Sequence, residues 1–234
     1  MCGRYSRSYT WREVHAFSRA IDIQTPVENP DPAFNVAPTQ PGWVIASDGD
    51  GKATARLMRW GLVPAWAKDS KIGYSTINAR LETAATKPVF RSAWKARRCL
   101  IPASGYYEWP MVDGAKVPHF IHPTGDPVLM FAGLWERWHG NGEPVETYTI
   151  ITMDAVGGLL DIHNRTPLML PPEVLRDWME GDADQATAIA HASPVPDLAW
   201  HAVGKAVGNV RSQGPHLIER VGDTTNGVRF TSYP

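Results

Sequence analysis

Cys2, the second residue of the chain, has the type and the place to do covalent chemistry. If Met1 is removed, as is usual before a small residue, the α-amine and thiol of Cys2 sit on adjacent carbons. Their reference pKa values, about 7.7–8.0 and about 8.5, leave some neutral amine and some thiolate near pH 7. Such an aminothiol can attack as a thiolate, or it can trap an aldehyde as an imine that the sulfur closes to a thiazolidine. Alternatively, Cys2 is only a small residue that follows the start codon and has no function. Cys2 by itself does not distinguish these possibilities.

Two motifs near the middle of the chain add polar groups that suit a reaction site. In the first, residues 76–83, the amide of Asn78 can orient a hydroxyl or carbonyl, and the guanidinium of Arg80 can grip a phosphate. In the second, residues 102–109, Glu108 lies among aromatic residues, where desolvation raises the pKa of a carboxyl toward a range useful for proton transfer. Each of these residues also has a purely structural alternative. Asn78 could belong to a turn, Arg80 could be a surface cation, and Glu108 could be a solvated residue at a strand end.

Two later segments carry weaker signals. His163 follows Thr152 and precedes an apolar stretch, so its imidazole could reach a cleft as a proton shuttle, although a single histidine is more often structural. The glycine-containing segment 202–211 holds Lys205 and Arg211 but lacks the GK[ST] ending of a phosphate-binding loop.

Composition fits a soluble globular protein of one large domain or two small ones. The 234 residues are 43% hydrophobic and 20% charged, with a formal net charge of −1. Residues 52–98 nevertheless hold eleven Lys or Arg against two acidic residues, which is either a local phosphate-binding surface or a set of unrelated cations. Ten tryptophans suit a core and also stacking on bases.

Cysteine usage and hydropathy restrict the compartment. Cys2 and Cys99 are the only cysteines, and neither belongs to a CxxC pair or to a Cys/His cluster at zinc spacing. We therefore expect neither a disulfide framework nor a structural zinc site. No apolar run could span a bilayer, and the N-terminus lacks the apolar segment of a signal peptide, so a cytoplasmic location is expected.

Strand-like runs outnumber helical ones and do not alternate with them, which predicts an α+β fold with a mainly antiparallel, barrel-like sheet. Helices are predicted from a Thr10 capping box to about Ala20, around Val89 to Ala96, and from Pro171 to Gly181. Strands are predicted at Trp43 to Ser47, Ala55 to Val63, Pro118 to His122, Val128 to Arg137 and Thr147 to Met153.

Taken in order, the motifs resemble those of the SOS-response-associated peptidase (SRAP) family, the abasic-site processing proteins of bacteria and eukaryotes. They are MCGR at 1–4, FNVAPTQ at 34–40, WGLVPAWA at 60–67, NAR-ET at 78–83, IPASGYYEW at 101–109, DIHNRTPLML at 161–170 and VGNVRSQGP at 207–215. The resemblance implies one SRAP domain over residues 1–221 and a C-terminal tail over 222–234.

The resemblance also implies an enzyme that binds single-stranded DNA and links itself covalently to abasic sites. Such an enzyme would need no metal or organic cofactor, and it would be associated with the nucleoid during the response to DNA damage. Cys2 would form the thiazolidine with the ring-opened aldehyde, Glu108 would move protons, Asn78 would hold the sugar or the Cys2 backbone, and His163 would help to open the sugar ring. Its peptidase activity would be the removal of Met1. DNA contacts are expected from Arg4, Pro38, Trp66, Arg80, Thr152, Arg165, Lys205 and Arg211. The partner would be single-stranded DNA with abasic sites, including junctions with duplex, bound by a monomer.

Two other functions use parts of the same pattern. An N-terminal-nucleophile glutamine amidohydrolase would direct the Cys2 thiolate at an amide, with the α-amine as base. A non-covalent single-stranded DNA-binding protein would use the basic segment and the tryptophans but would leave Cys2 and Glu108 without roles.

Overall fold

A computed structural model describes residues 2–19, 21–47, 52–140 and 142–222 of the chain. Met1, the predicted helix end at Ala20 and residues 223–234, which make up most of the predicted tail, lie outside the described residues.

The described residues form fifteen strands, five α-helices and several short 3-10 turns. The strands are β1 Tyr5–Arg7, β2 Ile23–Gln24, β3 Ala33–Val36, β4 Pro41–Ser47, β5 Ala53–Trp60, β6 Asn78–Arg80, β7 Arg98–Ala103, β8 Gly105–Glu108, β9 Met111–Val112, β10 Ala115–Lys116, β11 His119–Pro123, β12 Leu129–Trp138, β13 Val145–Asp154, β14 Arg165–Pro167 and β15 Leu198–Ala202. The helices are α1 Trp11–Phe17, α2 Leu81–Ala84, α3 Arg91–Ala96, α4 Leu175–Glu180 and α5 Ala183–Ala192.

Five strands close into a barrel. Strands β5, β4, β7, β12 and β13 pair antiparallel in that order, and a parallel pairing of β13 with β5 completes the ring. The closing pairs are Thr147 with Arg59 and Tyr148 with Trp60. The predicted α+β fold with a mainly antiparallel, barrel-like sheet is therefore confirmed.

A second sheet positions the N-terminus. Its order is β15-β11-β8-β1-β3, with every pairing antiparallel, so β1 lies in the interior of the sheet between β8 and β3. The first described residues therefore run alongside the end of β8.

Local signals explain where several elements begin and end. The capping box of Thr10 and Glu13 is present, and it starts α1 as predicted. Strand β5 ends at Trp60 rather than at the predicted Val63, because Gly61 has φ +117°, which L side chains avoid. The predicted helix from Pro171 divides into a 3-10 turn, Pro172–Val174, and α4. Helix α5 was not predicted.

Successive side chains of a barrel strand point to opposite faces, so the buried apolar side chains of the barrel form two clusters. Leu100 and Ile151 point to one cluster, whereas their neighbours Ile101 and Ile150 point to the other. The first cluster contains Trp178 and the other helical side chains, which can cover only the outside of a closed barrel, so we call it the outer core. The second joins the barrel interior to the five-stranded sheet and is called the inner core. Its members include Cys2, Tyr5, Met58, Trp60, Cys99, Ile101, Tyr106, Phe131, Tyr148 and Ile150.

Candidate active site

Cys2 enters the inner core because β1 is held on both sides. Tyr5 pairs with Tyr106 of β8, and the Tyr107 N–H donates to the Arg4 carbonyl at 3.0 Å, extending this ladder toward the N-terminus. The Cys2 side chain is fully buried. A residue at the start of the chain is thus as enclosed as the centre of the barrel.

The Cys2 thiol is protonated at neutral pH in this setting. Burial raises its pKa well above the usual range, and the nearby Glu108 carboxylate raises it further. The thiol donates to the Arg4 carbonyl over 4.0 Å. Any reaction that uses this sulfur needs a base to take its proton.

Glu108 has the properties of such a base. It ends β8 opposite His119 of β11, and only 5% of its surface is exposed. Burial raises its pKa from 4.5 to about 7, which confirms the expected desolvation. A carboxyl that titrates near pH 7 can both accept and return a proton.

Asn78 fixes the backbone of Cys2. It begins β6, which pairs in parallel with β13 through Asn78 and Ile150. The Asn78 Nδ2 donates to the Cys2 carbonyl at 2.8 Å. The Oδ1 atom of Asn78 and the Oγ1 atom of Thr152 are buried without a hydrogen-bond partner among the described residues. Buried polar atoms of this kind are usually satisfied, so a bound polar group would complete them.

His163 follows the 3-10 turn Gly157–Asp161 and is partly buried. Its Nδ1 accepts the Arg165 N–H at 2.9 Å, so the neutral ring carries its proton on Nε2. Burial lowers the pKa of His163. The ring is therefore neutral at pH 7 and can donate from Nε2.

Arg165, a predicted DNA contact, is engaged within the protein. Its guanidinium donates to both carboxylate oxygens of Glu82 at 2.6 and 3.0 Å, to Asp154 at 2.6 Å and to the Thr152 carbonyl at 2.6 Å. Only 7% of the side chain is exposed. The contacts join α2, β13 and β14 beside His163, and a DNA contact by Arg165 stays a prediction.

The other predicted DNA contacts range from buried to exposed, and Thr152 is fully buried. Arg4 is partly buried, and its NH1 donates to Asn35 at 2.7 Å and to the Val207 carbonyl at 2.8 Å. Pro38 is partly buried in a turn. The exposed residues are Trp66, Arg80, Lys205 and Arg211.

The basic segment 52–98 does not form one uniform cationic surface. Arg56 pairs with Glu146 at 3.1 Å, and Arg97 pairs with Glu136 at 2.8 Å. Arg98 is buried and donates to backbone carbonyls. Several of its cations are therefore structural.

Asn35 is a residue that the sequence did not single out. It is fully buried, and its Nδ2 lies 3.2, 2.9 and 3.1 Å from the carbonyls of Val207, Asn209 and Ser212. These bonds hold the segment that carries Lys205 and Arg211 against β3. The FNVAPTQ motif contains Asn35, but its partners lie more than 170 positions away in the chain.

Two further features concern the described residues alone. They contain no group of three or more His, Cys, Asp or Glu side chains that could hold a metal ion. None of their helices has both the length and the apolar content to cross a membrane.

The fold and this site define a class of single-domain α+β proteins in which a buried cysteine at position 2 lies near a desolvated glutamate. The profile of the SRAP family, described as SOS response associated peptidase, matches residues 1–210, and the chain belongs to this family.

Curated relatives match along most of their length. Abasic site processing protein YoqW of Bacillus subtilis is 37% identical over 225 residues, which cover 94% of this chain and 99% of YoqW. Abasic site processing protein YedK of Escherichia coli is 37% identical over 229 residues, covering 94% and 100%. Abasic site processing protein HMCES of Gallus gallus is 30% identical over 259 residues, covering 93% and 77%.

Solved structures share the fold. A protein from Bacteroides thetaiotaomicron superposes with a TM-score of 0.77 at 23% identity, covering 94% of this chain and all of that one, which is a likeness of fold alone. A protein from Bordetella bronchiseptica gives a TM-score of 0.73 at 28% identity, covering 87% and 100%.

Proposed function

We propose that this protein processes abasic sites in DNA by capturing them covalently through Cys2. The observation that carries the proposal is the enclosed group of a Cys2 thiol, a Glu108 carboxyl with a pKa of about 7, and an Asn78 amide on the Cys2 carbonyl. The names of the relatives YoqW, YedK and HMCES support the substrate.

The chemistry needs the free amine of Cys2, so Met1 must first be removed. The amine then adds to the C1′ aldehyde of the ring-opened deoxyribose and loses water, giving an imine. The sulfur attacks the imine carbon, and the thiol proton ends on the nitrogen. The product is a thiazolidine, and one water leaves overall. No metal or redox partner enters this balance.

Each neighbouring residue has a role in this scheme. Glu108 takes the proton of the thiol, whose raised pKa would otherwise keep it unreactive, and delivers protons during imine formation. Asn78 holds the Cys2 carbonyl with its amide and offers its Oδ1 to the sugar. His163 donates from Nε2 to the ring oxygen as the sugar opens.

The DNA strand is proposed to be single near the lesion, including strands that end at a duplex. Trp66 is 63% exposed and suits stacking on a base or wedging at a junction. The exposed Arg80, Lys205 and Arg211 supply cations for phosphates.

The decisive experiment is intact mass spectrometry of the purified protein, alone and after mixing with abasic single-stranded DNA. We expect loss of Met1 and a mass gain equal to the DNA minus one water. Cys2→Ala, and a variant with extra residues before Cys2, should give no heat-stable adduct. An undiminished adduct from either variant would exclude the thiazolidine.

The same samples separate the rival functions. Ammonia release from glutamine would favour an amidohydrolase. Equal binding of abasic and intact strands without a covalent product would favour a binding protein.

A further inference from the structure

Cys2 is the second residue of the chain, and the first residues of a domain open easily unless tertiary contacts hold them. Two backbone contacts act on this region: Asn78 Nδ2 donates to the Cys2 carbonyl, and the Tyr107 N–H donates to the Arg4 carbonyl. The Arg4 carbonyl also accepts the Cys2 thiol over 4.0 Å. The position of the thiol therefore depends on how firmly Arg4 is held.

The Arg4 side chain lies on the face of the five-stranded sheet that is turned away from the inner core. The neighbouring Tyr5 belongs to the inner core, whereas the Arg4 guanidinium lies 5.9 Å from the ring centroid of Trp109. Trp109 packs against a third apolar cluster, which consists of Tyr107, Phe120, Val203, Val207 and Leu217. Arg4 is thus enclosed between the sheet and the chain that follows β15.

Asn35 of β3 joins Arg4 to that chain. Its Oδ1 accepts from Arg4 NH1 at 2.7 Å, and its Nδ2 lies within 3.2 Å of three backbone carbonyls in the segment 204–213. Its own backbone carbonyl accepts from Gln213 Nε2 at 3.1 Å. A side-chain amide supplies an acceptor and two donors at one point, and a carboxylate of the same size could not donate to the carbonyls.

The burial of Asn35 gives these contacts their weight. The residue is fully buried, so water cannot readily replace a hydrogen bond that is lost there, and hydrogen bonds to a charged group contribute more than neutral ones. Without the amide, Arg4 would lose an acceptor and the segment 204–213 would lose a donor. The first residues would then separate from β8 more often, while the barrel stays folded, and would carry the thiol away from Glu108.

We propose that Asn35 is a positioning residue for Cys2. It holds the guanidinium of Arg4, whose carbonyl accepts the thiol, and it takes no part in the reaction itself. The inference rests on the proposed function only for the reaction that Cys2 performs.

The test compares the two cysteines of the chain. Cys2 and Cys99 are both fully buried, and Cys99 lies in β7 of the barrel. Under native conditions iodoacetamide reaches a buried thiol only when the surrounding structure opens, and mass spectrometry of the digested protein measures each cysteine separately. Asn35→Ala should label Cys2 roughly 10- to 150-fold faster than the wild type, the factor that one hydrogen bond to a charged group contributes. Cys99 should be labelled at the wild-type rate.

Asn29→Ala is the matched control. The Asn29 Oδ1 accepts the Trp11 N–H at 3.0 Å, so this change also removes a side-chain hydrogen bond between distant segments, but its partner belongs to the outer core. It should leave the labelling of both cysteines unchanged.

Arg4→Ala removes the same hydrogen bond from its other end and carries the test if Asn35→Ala does not fold. It should accelerate the labelling of Cys2 at least as much as Asn35→Ala does. Adding Asn35→Ala to Arg4→Ala should change the rate little further, because the two residues form one connection.

The second readout is the reaction. With abasic single-stranded DNA at saturating concentration, Asn35→Ala should form the adduct several-fold more slowly than the wild type, because a displaced thiol is out of reach of Glu108. Asn29→Ala should react like the wild type.

Three outcomes would overturn the inference: unchanged labelling of Cys2, equal acceleration at Cys2 and Cys99, or selective exposure of Cys2 with a wild-type rate of adduct formation. If the wild type forms no adduct while Asn35→Ala still exposes Cys2 selectively, the covalent function fails and the positioning by Asn35 stands.

Discussion

The outer and inner cores are equally buried, yet they are built from different chemistry. Around Trp94 and Trp178, whose rings meet edge to face at 5.7 Å, the outer core is almost entirely aliphatic and aromatic. The inner core instead encloses the Cys2 thiol and several tyrosines. Because the same strands line both, adjacent residues such as Leu100 and Ile101 serve different sides. A closed barrel thus lets one short sequence build an apolar scaffold outside and enclose a thiol and several hydroxyls inside.

Two pairs of hydroxyls in and beside the inner core satisfy each other. The hydroxyls of Tyr5 and Tyr148 share a hydrogen bond of 2.8 Å, and those of Tyr106 and Thr166 share one of 3.1 Å. Gly42 leaves room for the first pair, since a Cβ there would overlap both hydroxyl oxygens. The enclosure desolvates Cys2 and Glu108 and raises the pKa of both.

The largest effect that tests this division is expected for Glu108→Gln. The variant keeps the shape of the side chain but cannot take the thiol proton, so the rate of adduct formation should fall about 10²- to 10⁴-fold. Rates are read from denaturing gels with abasic single-stranded DNA at pH 7. Glu146→Gln, which changes a carboxylate on the barrel surface, is the control and should react like the wild type. An unchanged rate in Glu108→Gln would remove Glu108 from the reaction.

Glu108→Gln should also change how the free energy of unfolding depends on pH, and the direction of the change follows from the raised pKa of Glu108. Folding raises the pKa of Glu108 from 4.5 to about 7, so the folded state binds more protons between these values. Stability contributed by this group is therefore full below pH 4.5 and is lost as the pH rises through 7, by about 3 kcal/mol in total. Glu108→Gln should match the wild type near pH 4.5 and exceed it at pH 8 in urea unfolding. A constant difference at both pH values would contradict a desolvated carboxyl.

The outer core is tested by Trp178→Ala. The change removes a fully buried ring and its Nε1 hydrogen bond to the Cys99 carbonyl, 3.0 Å, and should cost about 3–5 kcal/mol of unfolding free energy. The folded fraction should still form the adduct, because the ring lies outside the barrel. Trp66→Ala, the same change at a 63% exposed site, should stay within about 0.5 kcal/mol. A cost below 1 kcal/mol for Trp178→Ala would contradict the packing.

The sequence predicted those features that depend on neighbouring residues. The Thr10 capping box and the desolvation of Glu108 among aromatic residues are of this kind. The closure of the barrel is not, since it joins Trp60 to Tyr148 across 88 positions and in parallel, where short-range patterns carry no information. The ion pairs of Arg165 could not be predicted for the same reason. The sequence shows that position 165 is an arginine, but only the fold brings Glu82 and Asp154 to it.

The smallest effect tests the hydroxyl pairing of the inner core. Tyr148→Phe leaves the Tyr5 hydroxyl buried without its partner and should cost about 1–3 kcal/mol of unfolding free energy. Adding Tyr5→Phe should recover part of this loss, since no unpaired hydroxyl then remains. Tyr9→Phe in the outer core is the matched control: its hydroxyl is buried with no partner among the described residues, so its removal should be neutral or stabilising. If the double variant is as unstable as the sum of the single variants, the two hydroxyls do not stabilise each other, and the inner core is no more specialised than the outer.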